Sequence, residues 1–442
     1  MLSEIFNFKK LLLPLVFIGL SGAAVLMGMD WNTNKHYFNE MMIVDNFAVA
    51  FSVLLILITL CWFAISPKYF TDPTSESDHF SLVLFALIGG VIMVSFNNMI
   101  MLFLGIEILS ISMYILAGSN KLSLASNESA LKYFLMGSFA TGFLLFGITL
   151  IYGVTGAFHL DHIAAKLSEP GLKDSTMAFA GILLIMIALA FKVSAAPFHF
   201  WAPDVYEGAP TVITAFMSTV VKTAAFAAFF RVFSVTFSGE VHLWSNTLLI
   251  MCCLTIIIGN ILAVYQQSAK RMLAYSSIAH AGYMLLAILA LNKTASSALL
   301  FYTAAYSVSS ITSFAILLVV SNVTGKETID SFNGLARKNP FLAAVTVIAM
   351  LSLAGIPPTG GFFAKYYIFS TAMEQGYTGA VLLAVLGSLT GVFYYFRIII
   401  ALFKEEDSQH VQIGGGYKAV LVITTLITLI LGIAPRFVAG LL

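Results

Sequence analysis

The sequence predicts an all-α polytopic membrane protein. It reads as about thirteen transmembrane helices containing two inverted five-helix repeats, each with a broken fourth helix. Three observations predict this class. The 442 residues are 60% hydrophobic and only 10% charged, against about 25% charged residues in soluble domains. The apolar runs recur at roughly the 20 residues a helix needs to cross a bilayer, too long for β-barrel strands. Two of them are interrupted by prolines at matching places in the order.

In chain order the expected spans lie near 11–29, 45–65, 80–96, 98–118, 128–153, 177–200, 211–235, 243–264, 272–291, 297–321, 340–373, 378–403 and 417–438. The first follows Lys9 and Lys10 and has the look of a signal peptide, but the many comparable runs behind it favour a retained span. The sixth, GILLIMIALAFKVSAAPFHF, places Lys192 inside the run and is broken by Pro197. Pro203 and Pro210 follow, and each proline removes a backbone donor, so the freed carbonyls need partners in protein or in a wet cavity. The eleventh is too long for one crossing; LSLAGIPPTGGFFAKYYIF carries Pro357, Pro358, Gly360 and Gly361, with Lys365 just beyond. One broken helix is the expectation there, two spans or a re-entrant pair the alternatives.

Basic residues orient the chain. With the N-terminus inside, the inner loops collect Lys9, Lys10, Lys68, Lys121, Lys270, Arg271, Lys326, Arg337, Lys338, Lys404 and Lys418. The outer loops collect Lys35, Lys166, Lys173, Lys293 and Arg436. A bias of roughly two to one favours a cytoplasmic N-terminus and an outer C-terminus. Spans three to seven and eight to twelve form two sets of five, and five being odd, the second set enters the membrane upside down. The expected organisation is N-terminal spans in 1–79, a first five-helix repeat in 80–236, a second, inverted one in 243–404, and a C-terminal span in 405–442.

A charge at membrane depth is costly and reads as functional by default. Glu107 stands alone in MLFLGIEILSISMYIL. Lys192, just before the first break, is its natural partner candidate. Lys222, in AFMSTVVKTAAFAAFF, has apolar sequence for about two turns on each side, which leaves snorkelling a poor explanation. Lys365 stands beside the second break, and His280, in the second span of the second set, titrates near neutrality and suits a relay between Lys222 and Lys365. Each has a plainer alternative: a structural ion pair for Glu107 and Lys192, a headgroup contact for Lys365, a satisfied core histidine for His280.

Two residues are auxiliary candidates. His199 either ends a wet segment or sits at the interface with Trp201. Lys132 either pairs with Glu128 on the surface or joins the Glu107 group. Arg231 and Arg397, near span ends, read as anchors. Sodium prefers oxygen ligands, and the spans hold almost no carboxylates, so this set suits protons better. The three cysteines lie in apolar runs without a CxxC pair, giving no support for zinc, a disulfide or an iron–sulfur cluster. No nucleotide-binding glycine loop is present, and a net charge of +1 gives no case for nucleic acid.

FLGIEILSISMYIL, ESALKYFLMGSF, FKVSAAPFHFWAPDVYEGAPTVITAF, KRMLAYSSIAHAGYMLLA and LSLAGIPPTGGFFAKYYIF resemble the subunit N family of the proton-pumping NADH:quinone oxidoreductase, respiratory complex I. That family is antiporter-like and related to Mrp-type cation/proton antiporter subunits. The likeness runs from about residue 40 to the C-terminus and implies the same paired, inverted five-helix repeats with two broken helices. It implies that Glu107 and Lys192 form a coupling pair, Lys222 a central relay, Lys365 the second-half channel lysine and His280 a bridge. The sister subunit M is expected to carry glutamate at the Lys365 position, and the sister subunit L a long lateral helix after the last span. Bacterial members commonly look like fourteen-span proteins, so this chain is expected to lack the first span, which lies outside the repeats.

The resemblance further implies a multi-pass inner-membrane subunit that moves H+ while quinone is reduced elsewhere in the complex. Its partners would be neighbouring antiporter-like and small membrane subunits, together with membrane lipids. This chain would need no cofactor of its own, flavin and iron–sulfur clusters being held by partner subunits. The rival readings are a free-standing cation/proton antiporter subunit, a structural membrane scaffold and a direct quinone-binding subunit.

Overall fold

The structure, a computed structural model, describes residues 9–66, 76–172, 175–405 and 413–442. Lys68 and Lys173, counted above for orientation, lie outside the described residues. The described chain is all-α apart from one antiparallel hairpin, Lys35–Tyr37 with Met42–Val44, in register Lys35 to Val44.

The main helices are α1 (Leu12–Met29), α2 (Asn46–Ile65), α3 (Glu76–Ser95), α4 (Met99–Ala117), α5 (Leu124–Thr155), α6 (Leu160–Leu167), α7 (Thr176–Lys192), α8 (Trp201–Gly208) and α9 (Thr211–Thr236). They continue as α10 (Val241–Val264), α11 (Ala269–Ala290), α12 (Ala295–Thr324), α13 (Pro340–Ala354), α14 (Gly360–Glu374), α15 (Thr378–Leu402) and α16 (Gly415–Ile433). Among the described residues eleven helices are long and apolar enough to cross a membrane, and α7 and α13 are shorter apolar ones. Each expected span contains one of these helices, and the two short ones fall where the breaks were expected.

Local chemistry sets the boundaries. Side chains of Asp45, Asn98, Ser123, Ser175, Ser268 and Asn339 accept hydrogen bonds from the first-turn amides of the helices they precede. α7 stops at Lys192; Ser194 is left-handed (φ +62), and helix resumes only at Trp201. α13 stops at Gly355 (φ +82), and α14 begins at Gly360 after the double proline. α9 is not uniformly α-helical: Met217–Val221 and Val232–Thr236 are π-helical turns, a feature without a sequence signature.

Two compact units divide the chain: Met1–Val193 with Val220–Leu248, and Ser194–Thr219 with Leu249–Leu442. In the first, α3 and α4 approach so closely that a Cβ at Gly89 would lie 2.6 Å from the Leu109 backbone nitrogen. Small residues allow such contact where lipid offers no hydrophobic drive to pack. The buried Arg231 side chain bonds Asp45 at 2.6 Å and lies 4.9 Å from the Phe47 ring centroid. An arginine expected at the interface is thus inside, tying the end of α9 to the start of α2.

In the second unit α10 and α11 meet through Gly259, whose Cβ would stand 2.5 Å from the Ala279 nitrogen. Buried polar residues of α12, such as Thr303, Ser309, Thr312 and Ser313, return their hydroxyls to carbonyls one turn back. Arg397 donates to the carbonyls of Val264 and Gln266 at 2.7 and 2.9 Å, closing the α10 C-terminus as an anchor.

Candidate functional site

In the first unit, Glu107 sits half-buried in the middle of α4 and accepts a 2.8 Å hydrogen bond from the Thr141 hydroxyl of α5. Lys192, 4% exposed at the last residue of α7, donates to the Ser110 hydroxyl at 2.6 Å and stands 5.8 Å from the Tyr133 ring centroid. Ser110 in turn donates to the Ile106 carbonyl. The lysine therefore meets the Glu107 helix one turn beyond the carboxylate, on the same face, instead of forming a direct ion pair with it. The reason is geometric: Lys192 ends its helix at the break, level with Ser110, while Glu107 is held by α5.

Lys222 is 2% exposed in α9, and it directly follows the π-helical turn Met217–Val221. A π-turn adds a residue to the winding and redirects the side chains after it, which is why such turns gather at functional positions. Lys132 bonds Glu128 at 2.7 Å across one turn, both side chains well exposed, as the surface alternative had it.

The second unit holds His280, Lys365 and His199. His280, buried on α11, contacts the Tyr302 hydroxyl at 2.6 Å through Nδ1 and the Tyr395 hydroxyl at 3.2 Å through Nε2. Tyr395 also shares a hydrogen bond with Ser276. Lys365, 6% exposed on α14, donates to the Ala354 carbonyl and the Ser388 hydroxyl, both at 2.7 Å. Ala354 is the last residue of α13, so the break supplies an orphan carbonyl and the lysine takes it. Gly355 makes that possible, since a Cβ there would lie 2.7 Å from Lys365 Cδ. Lys192 ends the helix before its break, whereas Lys365 lies in the helix after its own; the two reach their breaks from opposite sides. His199 is 3% exposed, and its Nδ1 finds no hydrogen-bond partner among the described residues.

Other buried cations of the chain are treated differently. Arg231 pairs with Asp45, and Lys270 pairs with Glu327 at 3.3 Å while donating to the Ala209 carbonyl. Those are structural ion pairs. Lys192 and Lys365 are held by hydroxyls and a carbonyl, partners that accept from an ammonium without neutralising it.

Residues 96–392 match the family model described as "NADH:quinone oxidoreductase/Mrp antiporter, TM". NADH-quinone oxidoreductase subunit N of Cytophaga hutchinsonii is 46% identical over 98% of this chain and 95% of its own length. That of Flavobacterium psychrophilum is 42% identical over 100% and 97%. The chain belongs to the NADH-quinone oxidoreductase subunit N family. A chain of the solved "Respiratory complex I from Thermus thermophilus with bound Aureothin" superposes with a TM-score of 0.84 at 32% identity, covering 98% of this chain and 94% of that one. A chain of the Mrp complex from Dietzia sp. superposes at 0.89 with 21% identity, covering 100% and 92%, which shows a shared antiporter-like fold. As a subunit N family member, the chain is a multi-pass membrane subunit of a respiratory enzyme complex.

Sequence reasoning named the charged candidates and not the neutral residues that bond them: Ser110, Thr141, Tyr302, Tyr395 and Ser388. Ser110 carried a signal, lying three residues from Glu107 in FLGIEILSIS. Tyr395 carried none, because its partner is 115 residues away.

Proposed function

We propose that this subunit N family member translocates H+ along Glu107, Lys192, Lys222, His280 and Lys365, coupled to quinone reduction elsewhere in the complex. One observation carries the reading: among the described residues, Lys192 and Lys365 are buried at the two helix breaks with neutral hydrogen-bond acceptors. A lysine there can be charged or neutral without leaving a carboxylate unpaired. A charge arriving on Glu107 would bias Lys192, which meets the same helix one turn away, through space, because two charges about 4 Å apart at an effective dielectric near 20 interact by about 4 kcal/mol and more weakly as they separate.

An inverted repeat would supply two such half-paths, and the backbone at matching junctions supports that reading. In the first half, Met99 and Leu160 amides donate to the Phe158 and Asn97 carbonyls. In the second, Ala269 and Ile329 amides donate to the Glu327 and Gln267 carbonyls, the same ladder at the same two junctions. α5 and α12, the third helices of each set, both end on left-handed glycines, Gly156 and Gly325. In that register Gly89 answers Gly259, Ser277 lies level with Glu107, and His280 lies level with Ser110. His280 thus occupies the place of the hydroxyl that binds Lys192, which suits a bridge better than a counter-ion. On this reading the repeats occupy 80–236 and 243–404, with spans before and after them.

The chain would hold no redox group of its own; flavin and iron–sulfur clusters would belong to partner subunits. It would lie in the inner membrane beside other antiporter-like and small membrane subunits, with its N-terminus cytoplasmic. Replacing Lys192 or Lys365 by Ala in the whole complex tests the proposal. NADH-driven proton uptake into proteoliposomes should fall at least about tenfold, which is the effect of ~1.4 kcal/mol on a barrier. Electron flow from NADH to a hydrophilic acceptor should be unchanged. Normal pumping by an assembled variant would favour the scaffold instead.

A further inference from the structure

The second unit holds a buried amide that no reading of charge would pick out. Asn260, on α10, is 2% exposed. Its Nδ2 donates to the Ile256 carbonyl at 2.8 Å and to the Tyr283 hydroxyl at 2.9 Å, and its Oδ1 accepts from the Tyr394 hydroxyl at 3.2 Å. Both amide hydrogens are committed, so rotating the carboxamide by half a turn would press its oxygen against the Ile256 carbonyl. The group is locked with its acceptor toward Tyr394 and its donor toward Tyr283.

Each tyrosine leads to one member of the proposed path. The Tyr394 ring lies 4.5 Å, centroid to centroid, from that of Tyr395, whose hydroxyl is 3.2 Å from His280 Nε2. The Tyr283 ring lies 5.4 Å from Lys365 Nζ. Asn260 thus fixes the hydroxyl end of the ring whose face carries the Lys365 ammonium.

Space has been cleared for this amide. A Cβ at Gly387 of α15 would meet Asn260 Nδ2 at 2.8 Å, and one at Gly391 would meet the Tyr394 hydroxyl at 3.4 Å. In the repeat register the first half has Gly90 at this place, where a Cβ would stand 3.5 Å from Ala224 Cβ. Close packing of these helices therefore needs no amide, and Asn260 belongs to the second half alone.

We infer that Asn260 is a positioning residue of the second half-path: by fixing Tyr283, over whose ring the Lys365 ammonium rests, and Tyr394, beside the Tyr395 that contacts His280, it holds the lysine and the His280 group in one arrangement for proton transfer. It does not itself carry the proton, since a carboxamide would have to pass through its imidic form. The inference rests on the proton-path reading above. The titratable groups joined to it by hydrogen bonds or ring contacts are Tyr283 and His280 on α11, Tyr394 and Tyr395 on α15, and Lys365 on α14.

Three variants of the intact complex test it, read as NADH-driven proton uptake into proteoliposomes. Asn260→Leu keeps the volume and loses the hydrogen bonds; uptake should fall about fivefold or more, with the thermal midpoint of the complex and NADH oxidation by a hydrophilic acceptor unchanged. Tyr283→Phe should lose as much. Asn260→Asp should work while the acid is protonated, because it then donates to Tyr283, and fail once ionised, so uptake declines as pH rises through the neutral range where wild type is flat. Wild-type uptake in Asn260→Leu would overturn the inference, as would a lowered thermal midpoint together with a pH-indifferent Asn260→Asp. Lys365→Ala separates the two levels. If it pumps normally the path itself falls; if it is dead while Asn260→Leu pumps, only the role of Asn260 falls.

Discussion

Lys192 and Lys365 are neighbours of the chain's own broken backbone, and this explains how a membrane interior tolerates them. Each ammonium replaces water with neutral oxygens that are already committed to the fold: Ser110 for one, the Ala354 carbonyl and Ser388 for the other. Ser110→Ala removes the hydroxyl that accepts from Lys192, a loss of about 1.5–3 kcal/mol for a bond to a charged group. Proton uptake should fall toward that of Lys192→Ala, while Ser110→Thr, which keeps the hydroxyl, should restore most of it. Gly355→Ala adds a Cβ 2.7 Å from Lys365 Cδ at a left-handed position. It should cost about 1–3 kcal/mol, displace the lysine and lower uptake, read beside the thermal midpoint of the complex. Charged residues were legible in the sequence because each is expensive in an apolar run. Ser110, Ser388 and Asn260 were not, since hydroxyls and amides occur throughout buried membrane helices and cost little when they bond their own backbone.

Helices were legible to within a few residues, and so were both interruptions, because proline and glycine act locally. Pro197 and the Pro357–Pro358 pair were placed correctly at the breaks, yet the helix ends fall earlier, at Lys192 and Ala354. The residue before a proline is already pushed out of the helical region, and left-handed Ser194 and Gly355 stop the winding sooner still. The π-turn before Lys222 was illegible because it reflects the packing of α9 and not its residues. Arg231 was misjudged for a related reason: its partner Asp45 is 186 residues away. Arg231→Met leaves the Asp45 carboxylate, which is 27% exposed, without its cation. Full burial would make that worth about 3–5 kcal/mol; partial hydration of Asp45 reduces it to roughly 1–2. The expected result is earlier thermal dissociation of the subunit from the complex, with proton uptake per electron unchanged in what remains assembled.

At the scale of the whole molecule, the expectation of inversion rests on arithmetic: five spans per set, broken members in the fourth place. The residue register within the sets was not, since the halves share little identity, and it emerges only from the paired backbone ladders at Asn97–Leu160 and Gln267–Ile329. Inversion makes a demand those ladders cannot meet by chance. If the halves face opposite ways, the ladder of the first half opens on the outer side and that of the second on the cytoplasmic side. The basic residues agree, Lys326 being counted inside and Lys166 outside. Asp161 and Lys326 are exposed and adjoin the two ladders. In sealed right-side-out vesicles, Asp161→Cys should react with a membrane-impermeant maleimide and Lys326→Cys should not; inside-out vesicles should reverse the pattern, with the wild-type cysteines as background. Labelling of both from one side would mean that the two ladders face the same compartment. The fourth helices would then break toward the same side too, and the half-paths through Lys192 and Lys365 could not lead protons in opposite senses from the membrane centre.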